Sequence, residues 1–509
     1  MSYLLGIDVG TSGTKSVLFD LLGNTVASAL SEYPMDQPKS SWAEQNPLDW
    51  WNAVCSTVNE VIRKSTVSSS EIRSVGISGQ MHGLVLLDGN NQVIRPAILW
   101  CDQRTAEECE EITAIIGKKR LIELTANPAL TGFTASKIMW VKKHEPQNYE
   151  RCRHILLPKD YIRFMLTGEY ATEVSDASGM QLLDVPNRCW SNEVLNKLGI
   201  EKTLLGKVYE SQEITGKVSR IASSQTGLSV GTPVVGGAGD QAAGGVGNGI
   251  VRAGRVSATI GTSGVVFAHT DTVKIHPEGR VHTFCHAVPG AYHVMGVTQA
   301  AGLSFQWMRN NFFTTEQEEA QKSGQEINKV LDEICKKIPA GAEKLLYLPY
   351  LMGERTPHLD PYARGVFFGL SATHTKAHLL RAVMEGVVFS MMDCMRLMEE
   401  MGIAMEDIYA SGGGAKSEIW RQMMADVFHK NMCLNNSAEG GALGVAILAG
   451  VGVGAYQSVS EACDEVIKTT KVQPPIEQNV PLYAEYYELY RALYGTLKDS
   501  FKVLSKIEE

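Results

Sequence analysis

Asp8 stands two residues before the turn Gly10-Thr11-Ser12-Gly13, and Lys15 follows it. Backbone N–H groups in such a turn form a concavity for anions and the hydroxyls add donors, so the segment suits phosphate oxygens. A carboxylate beside bound phosphate is repulsive unless a cation lies between them. Asp8 therefore reads either as a magnesium partner acting through water or as an Asp capping its own turn. Asp240, in Gly236-Gly237-Ala238-Gly239-Asp240-Gln241, precedes a small-residue helical stretch. There it can cap the helix, or it can be the general base that takes the proton of an alcohol attacking a γ-phosphate. Ser411-Gly412-Gly413-Gly414-Ala415-Lys416 puts three glycines at a strand-to-helix junction, which lets a ligand approach the backbone or simply makes a tight turn. Ser78-Gly79-Gln80-Met81-His82-Gly83 offers an amide and an imidazole to a polyhydroxylated ligand, or holds a satisfied loop histidine.

Other chemistries find no signature. GTSGTKS at 10–16 lacks the spacing of GxxxxGK[ST] and runs into a strand-like segment instead of a helix. His374 and His378, on an expected helix, lack the Glu of HExxH, and His282 with His286 fares no better. Ser263 is not in GxSxG, so a serine hydrolase has no nucleophile elbow.

The elements that must position these residues follow from pattern. Apolar runs at 4–9, 16–21 and 25–30, separated by Gly10 to Gly13 and by Gly23-Asn24, predict strand, turn, strand, turn, strand. The same device recurs at 255–260, Gly261-Thr262-Ser263-Gly264 and 265–268, which favours duplicated halves. Two similar α/β domains facing each other across a nucleotide cleft are expected, with a boundary near residue 250 after the glycine-dense run 236–249. Residues 440–456 form the longest apolar stretch, too short and too interrupted by glycine to cross a bilayer, and read as a tightly packed buried helix and turn. Tyr483, Tyr486, Tyr487, Tyr490 and Leu493 recur at helical spacing, predicting a terminal helix docked on the body.

A chain of 509 residues exceeds one compact core, and 44% apolar with 20% charged residues is ordinary globular composition. A net charge of -9 argues against nucleic acid as a partner. The ten cysteines are scattered without a CxxC pair and read as reduced thiols. The N-terminus enters a strand without a signal-peptide pattern, so the cytoplasm is the expected location and no membrane partner is expected.

The chain resembles the FGGY family of carbohydrate kinases over essentially its whole length. Gly132-Phe133-Thr134-Ala135-Ser136-Lys137-Ile138-Met139-Trp140-Val141 looks like the family's first signature. Gly365-Val366-Phe367-Phe368-Gly369-Leu370, continued by the segment from His378 to Glu385, looks like its second. The resemblance implies the duplicated actin-like (ribonuclease H-like) ATPase fold, an α/β architecture whose two domains flank a deep nucleotide and sugar cleft. Residues 1–250 would carry sugar binding, the first phosphate loop and the catalytic Asp, and 251–509 nucleotide binding and the terminal helix. It implies ATP and Mg2+ as cofactors, with Asp8 and Asp240 as the metal's partners and Asp240 as the catalytic base. Thr11, Ser12 and Lys15 fall on the first phosphate loop. Gln241, Thr262, Gly302 and Gln306 fall on nucleotide-binding positions, and Gly413 and Gly414 on the adenosine loop. Glu418 stands where some relatives carry Asn.

Glycerol kinases, which are similar, place an Arg-Glu pair where Met81 and His82 stand here. The Gln80 to Gly83 run, with Ile98-Leu99-Trp100-Cys101-Asp102-Gln103-Arg104 and Gly353-Glu354-Arg355-Thr356-Pro357-His358, instead resembles the branch acting on D-xylulose. Cys101 and Gln103 stand where that branch often has Asn and Gly. The resemblance thus implies transfer of the ATP γ-phosphate to D-xylulose, giving D-xylulose 5-phosphate, with Gln80, Met81, His82, Trp100, Asp102 and Asp240 toward the sugar. A small sugar is the expected partner, and the oligomeric state is open, a homodimer included. The alternatives are a kinase for another ketose, polyol or sugar acid, and an actin-like conformational-switch ATPase without a small-molecule acceptor.

Overall fold

The computed structural model describes residues 2–437 and 439–507. The chain divides into two compact units. One comprises Met1–Arg252, His269–His293 and Ser437–Lys468, and the other Ala253–Ala268, Val294–Asn436 and Thr469–Glu509. The first crossing, after Arg252, falls beside residue 250, and the chain returns twice to the first unit further on.

Leu4, Leu5, Ile7 and Val9 are almost wholly buried, the near-continuous apolar run of a strand covered on both faces. The strand Tyr3–Val9 pairs antiparallel with Gly13–Asp20, which sets Asp8 opposite Lys15. Thr25–Glu32 continues that side antiparallel. On the other side Ile72–Gly79 runs parallel to the first strand and sets Ser78 beside Asp8. Pro233–Val235 follows in parallel, and Ile214–Lys217 closes the edge antiparallel.

The second unit repeats these strand senses. Gly254–Ile260 and Gly264–Thr270 form the antiparallel hairpin. Met405–Ser411 and Met432–Asn435 follow in parallel, and Thr469–Gln473 closes the edge antiparallel. The tips differ by one residue: Gly10 N–H donates to the Gly13 carbonyl, the fourth position of its turn, whereas Gly261 N–H donates to the Ser263 carbonyl, the third, each at 3.0 Å. The duplication expected from the two GTSG segments is nevertheless present in the strand senses of the fold.

Residues 440–452 form the expected buried helix, Gly440–Gly452, and its small residues have a specific purpose. A Cβ on Gly6 would lie 2.0 Å from the Ala442 carbonyl oxygen, and one on Gly444 would lie 1.9 Å from that of Ala243. Only glycine permits backbones so close. The helix thereby sits directly on the first strand and on the helix Asp240–Gly247.

The terminal helix Val480–Leu504 buries Tyr483, Tyr487, Tyr490 and Leu493 against Leu346, Tyr350 and Phe389, as the aromatic spacing predicts. His374 precedes the helix Lys376–Glu400, contrary to the expectation of a shared helix, while His378 lies in its first turn. There the His378 Nδ1 accepts from the Thr375 N–H at 3.1 Å, so capping geometry accounts for it. Among the described residues no two cysteines form a disulfide. Among the described residues no helix is long and apolar enough to cross a membrane.

Candidate active site

In the first unit, chemistry gathers at the carboxyl ends of the parallel strands, where open α/β sheets bind ligands. The two-residue strand Ala238–Gly239 lies beside Ser78 and Gly79 and delivers Asp240 to that edge. Gly239 is the helix cap, so Asp240 is the first helical residue and the capping alternative does not describe it. Gly237 makes the approach possible, since its φ is +75° and a Cβ there would lie 2.0 Å from the Ile77 carbonyl oxygen.

Burial, reinforced by the charge of Asp8, pushes the Asp240 carboxyl up to about 7, against hydrogen bonding from Gln241. Burial also raises Asp8, while Ser78 and Lys15 pull it back and Glu439 adds to the rise. The buried Asp8 Oδ1 has no hydrogen-bond partner. A Cβ on Gly441, in the first turn of the 440–452 helix, would lie 3.2 Å from Asp8 Oδ2, so the positive end of that helix faces the carboxylate. Lys15 pairs with Glu439 at 2.5 Å.

Magnesium commonly takes one or two carboxylates and completes its shell with water and substrate phosphates. An unpartnered Asp8 oxygen electrostatically coupled to Asp240 fits that pattern. Among the described residues no group of three or more His, Cys, Asp or Glu forms an all-protein cage.

The sugar-side candidates converge on the same edge. The Thr11 hydroxyl donates to Gln80 Oε1 at 3.1 Å, Gln80 Nε2 donates to Gln45 Oε1 at 2.9 Å, and Gln45 Nε2 donates to the Thr11 carbonyl at 2.7 Å. Trp100 Nε1 reaches Thr11 Oγ1 at 3.0 Å. This closed circuit couples the turn at 10–13 to the Gln80 loop. Met81 is buried against Gly239, where a Cβ would meet its Cγ at 2.8 Å. His82 has φ +69°, a left-handed conformation uncommon outside glycine. Its carbonyl accepts from Thr134 Oγ1 and Lys137 Nζ, each at 3.0 Å, and its Nδ1 lies 3.0 Å from the Gly179 carbonyl. Burial pushes the Lys137 ammonium down to about 7, against the pull of Asp102.

Asp102 behaves differently from the expectation of a sugar ligand. It is fully buried, and its oxygens accept from Ala43 N–H at 2.6 Å and from Arg104 Nε and Nη2 at 2.9 and 2.7 Å. Its geometry is that of an anchor for Arg104, which lies 3.6 Å above the Trp42 ring.

Gln45 and Glu439 do not stand out in the sequence, and Lys137 does so only as part of the signature at 132–141. Lys137 carried a positional signal in that signature, and Glu439 stands just before a glycine pair that opens an apolar run. Gln45 carried none.

The second unit contains a cavity of about 630 Å3 lined by Thr262, Gly302, Gln306, Gly413, Gly414 and Trp420, among others. All five nucleotide-binding candidates assigned to that unit thus line one space. Gly302 N–H donates to the Gly261 carbonyl at 2.9 Å, seating the helix Gly302–Phe312 on the second GTSG turn with its N-terminus at Thr262. Such an end attracts phosphate. Gly412, with φ +77°, and Gly414 press on Ile260, where Cβ atoms would lie 2.6 Å from its carbonyl oxygen and its Cβ respectively. Phe305 and Trp420, 5.4 Å apart, supply aromatic wall. Glu418 pairs with Lys471 at 2.6 Å, and the lining carries Asn328 and Asp332.

Residues 3–247 match the N-terminal domain of the FGGY family of carbohydrate kinases, and residues 256–453 match its C-terminal domain. The chain is 39% identical over 98% of its length to a xylulose kinase of Bacillus subtilis, covering 98% of that protein. It is 32% identical over 98% of its length to a gluconokinase of the same organism, covering 97% of that protein. A crystal structure of a "xyloylose kinase" from Brucella ovis superposes with a TM-score of 0.89 at 33% identity, covering 98% of this chain and 99% of that one. The repeated sheets, with the actin-like, ribonuclease H-like arrangement of a sugar kinase, and these matches across both halves place the chain in the FGGY family of carbohydrate kinases.

Proposed function

We propose that this chain transfers the γ-phosphate of ATP to the 5-hydroxyl of D-xylulose, with Asp240 as general base. The observation that carries the reading is the Asp240 carboxyl, poised near 7 at the end of a glycine-built approach and coupled to Asp8. A base tuned to the operating pH combines adequate ionisation with adequate proton affinity. Asp240 Oδ takes the hydroxyl proton as the sugar oxygen bonds to the γ-phosphorus and the bond from that phosphorus to the β,γ-bridging oxygen breaks, leaving ADP. Thr11, Ser12, Lys15 and Thr262 supply donors for phosphate oxygens, and Gln241, Gly302, Gln306, Gly413 and Gly414 bind the nucleotide. Magnesium, when bound near Asp8 and Asp240, supplies charge neutralisation at the β- and γ-phosphates.

The Gln80 to His82 loop and Trp100 orient the sugar. Choice of D-xylulose is supported by Met81 and His82 in place of an Arg-Glu pair and by the relatives named xylulose kinase. The gluconokinase relative makes gluconate the competing acceptor. Phosphorus NMR of the product formed from Mg-ATP and D-xylulose tests the reading: a 5-phosphate ester supports it, and a product phosphorylated elsewhere contradicts the assigned pose. A cytoplasmic location accords with the reduced thiols.

A further inference from the structure

Beside the sugar-side residues lies a fully buried ionic cluster that the reaction as derived does not use. Lys159 Nζ is 2.7 Å from Asp160, 3.3 Å from Glu173 and 3.6 Å from Asp176, and Arg163 reaches Asp160 at 3.0 Å. Three carboxylates thus face two cations. Asp160 has Lys159 and Arg163. Glu173 accepts from the N–H groups of Ser175 and Asp176 and from the hydroxyls of Ser175 and Ser211, all at 2.7 to 2.9 Å. Asp176 is the surplus group: it is wholly buried, yet neither of its oxygens has a hydrogen-bond partner. A buried polar atom left so is costly unless something answers it.

Three contacts tie this segment to the sugar-side residues. The Gly239 N–H, immediately before Asp240, donates to Ser175 Oγ at 3.1 Å. A Cβ on Gly179 would lie 2.2 Å from His82 Nδ1 and 3.3 Å from Met81 Cε. A Cβ on Gly79 would lie 3.1 Å from Lys159 Cβ.

We propose that Asp176 is a second carboxyl of the sugar site, hydrogen-bonding a hydroxyl of the sugar other than the reacting one and so aiming the acceptor at Asp240. The assignment rests on the sugar-kinase reading above. Burial raises Asp176 well above the carboxylate range against the pull of Lys159, and the charges of Asp160, Glu173 and Asp240 add to the rise. A neutral carboxyl both donates and accepts, which matches a hydroxyl.

The test compares wild type, Asp176→Ala and Asp176→Asn, using D-xylulose and its 1-, 3- and 4-deoxy analogues, with thermal melting as the check on folding. Asp176→Ala should raise the KM for D-xylulose about 10- to 100-fold with the KM for ATP unchanged, the loss expected for one buried hydrogen bond. Asp176→Asn, which keeps a donor and an acceptor, should recover most of it. One deoxy analogue should cost the wild type a similar factor and cost Asp176→Ala nothing further. An unchanged KM for the sugar in a folded Asp176→Ala, or equal sensitivity of that variant to every deoxy analogue, overturns the assignment while leaving the kinase reading intact. A wild type that no acceptor stimulates overturns the kinase reading and this assignment with it.

Discussion

On the proposed reading, Asp240 would serve catalysis at the expense of the fold. Its carboxyl has an ordinary value of 3.8 and is raised to about 7 by burial and by Asp8. The base must be ionised to accept the hydroxyl proton, so kcat/KM for the sugar should rise with pH up to about 7 and level off above it. Asp240→Ala should lower turnover by roughly 10² to 10⁴ fold while ATP binding persists. Near-normal turnover in that variant would remove Asp240 from the role.

The same shift has a signed effect on stability. The folded state holds the proton more tightly than the unfolded chain, so this group's contribution falls as pH rises from about 3.8 to about 7 and stays at its low value above. Asp240→Asn should therefore melt higher than wild type at pH 8, with the difference shrinking on acidification. A variant that melts lower at pH 8 would contradict the electrostatic account. At this scale the sequence made Asp8, Asp240, Met81 and His82 conspicuous because each adjoins a glycine-rich turn. It could not separate them from Asp102, whose saturation by Ala43 and Arg104 depends on contacts made in three dimensions.

Elements were legible wherever periodicity was strong, as in the two hairpins and the terminal tyrosine helix. The glycines were harder to read. Gly6 and Gly444 look like weak points within a strand and a helix, yet each marks a place where two backbones touch, and the partner lies far away in sequence. Gly444→Ala should lower the melting temperature, through an overpacking loss of about 1–3 kcal/mol or more, because the Ala243 carbonyl is backbone and cannot swing aside. Gly495 supplies the contrast. It is exposed in the helix Val480–Leu504 with nothing within 4 Å of a Cβ, so Gly495→Ala should stabilise by about 0.5–1 kcal/mol. Denaturant unfolding of both variants checks the pair, and equal effects would refute the distinction.

On the scale of the whole molecule, the repeated GTSG turns announced a duplicated architecture, and the matching order of strand senses is its physical form. The return of residues 437–468 to the first unit was not legible, because an apolar helix carries no mark of which sheet will receive it. Duplication predicts a division of labour between the units. His82→Ala should raise the KM for the sugar and leave that for ATP nearly unchanged. Gly414→Ala, at the wall of the second unit's cavity, should do the reverse. Steady-state kinetics in both substrates would expose a failure of this separation.

The central claim is acceptor-specific phosphoryl transfer, and ADP release from Mg-ATP tests it most directly, with D-xylulose set against D-ribulose, L-ribulose, glycerol, gluconate and no acceptor. The account predicts strong stimulation by D-xylulose and little by the others. Stimulation by gluconate or another acceptor alone would contradict the assignment of Met81 and His82 to D-xylulose, and no stimulation by any acceptor would contradict the account as a whole.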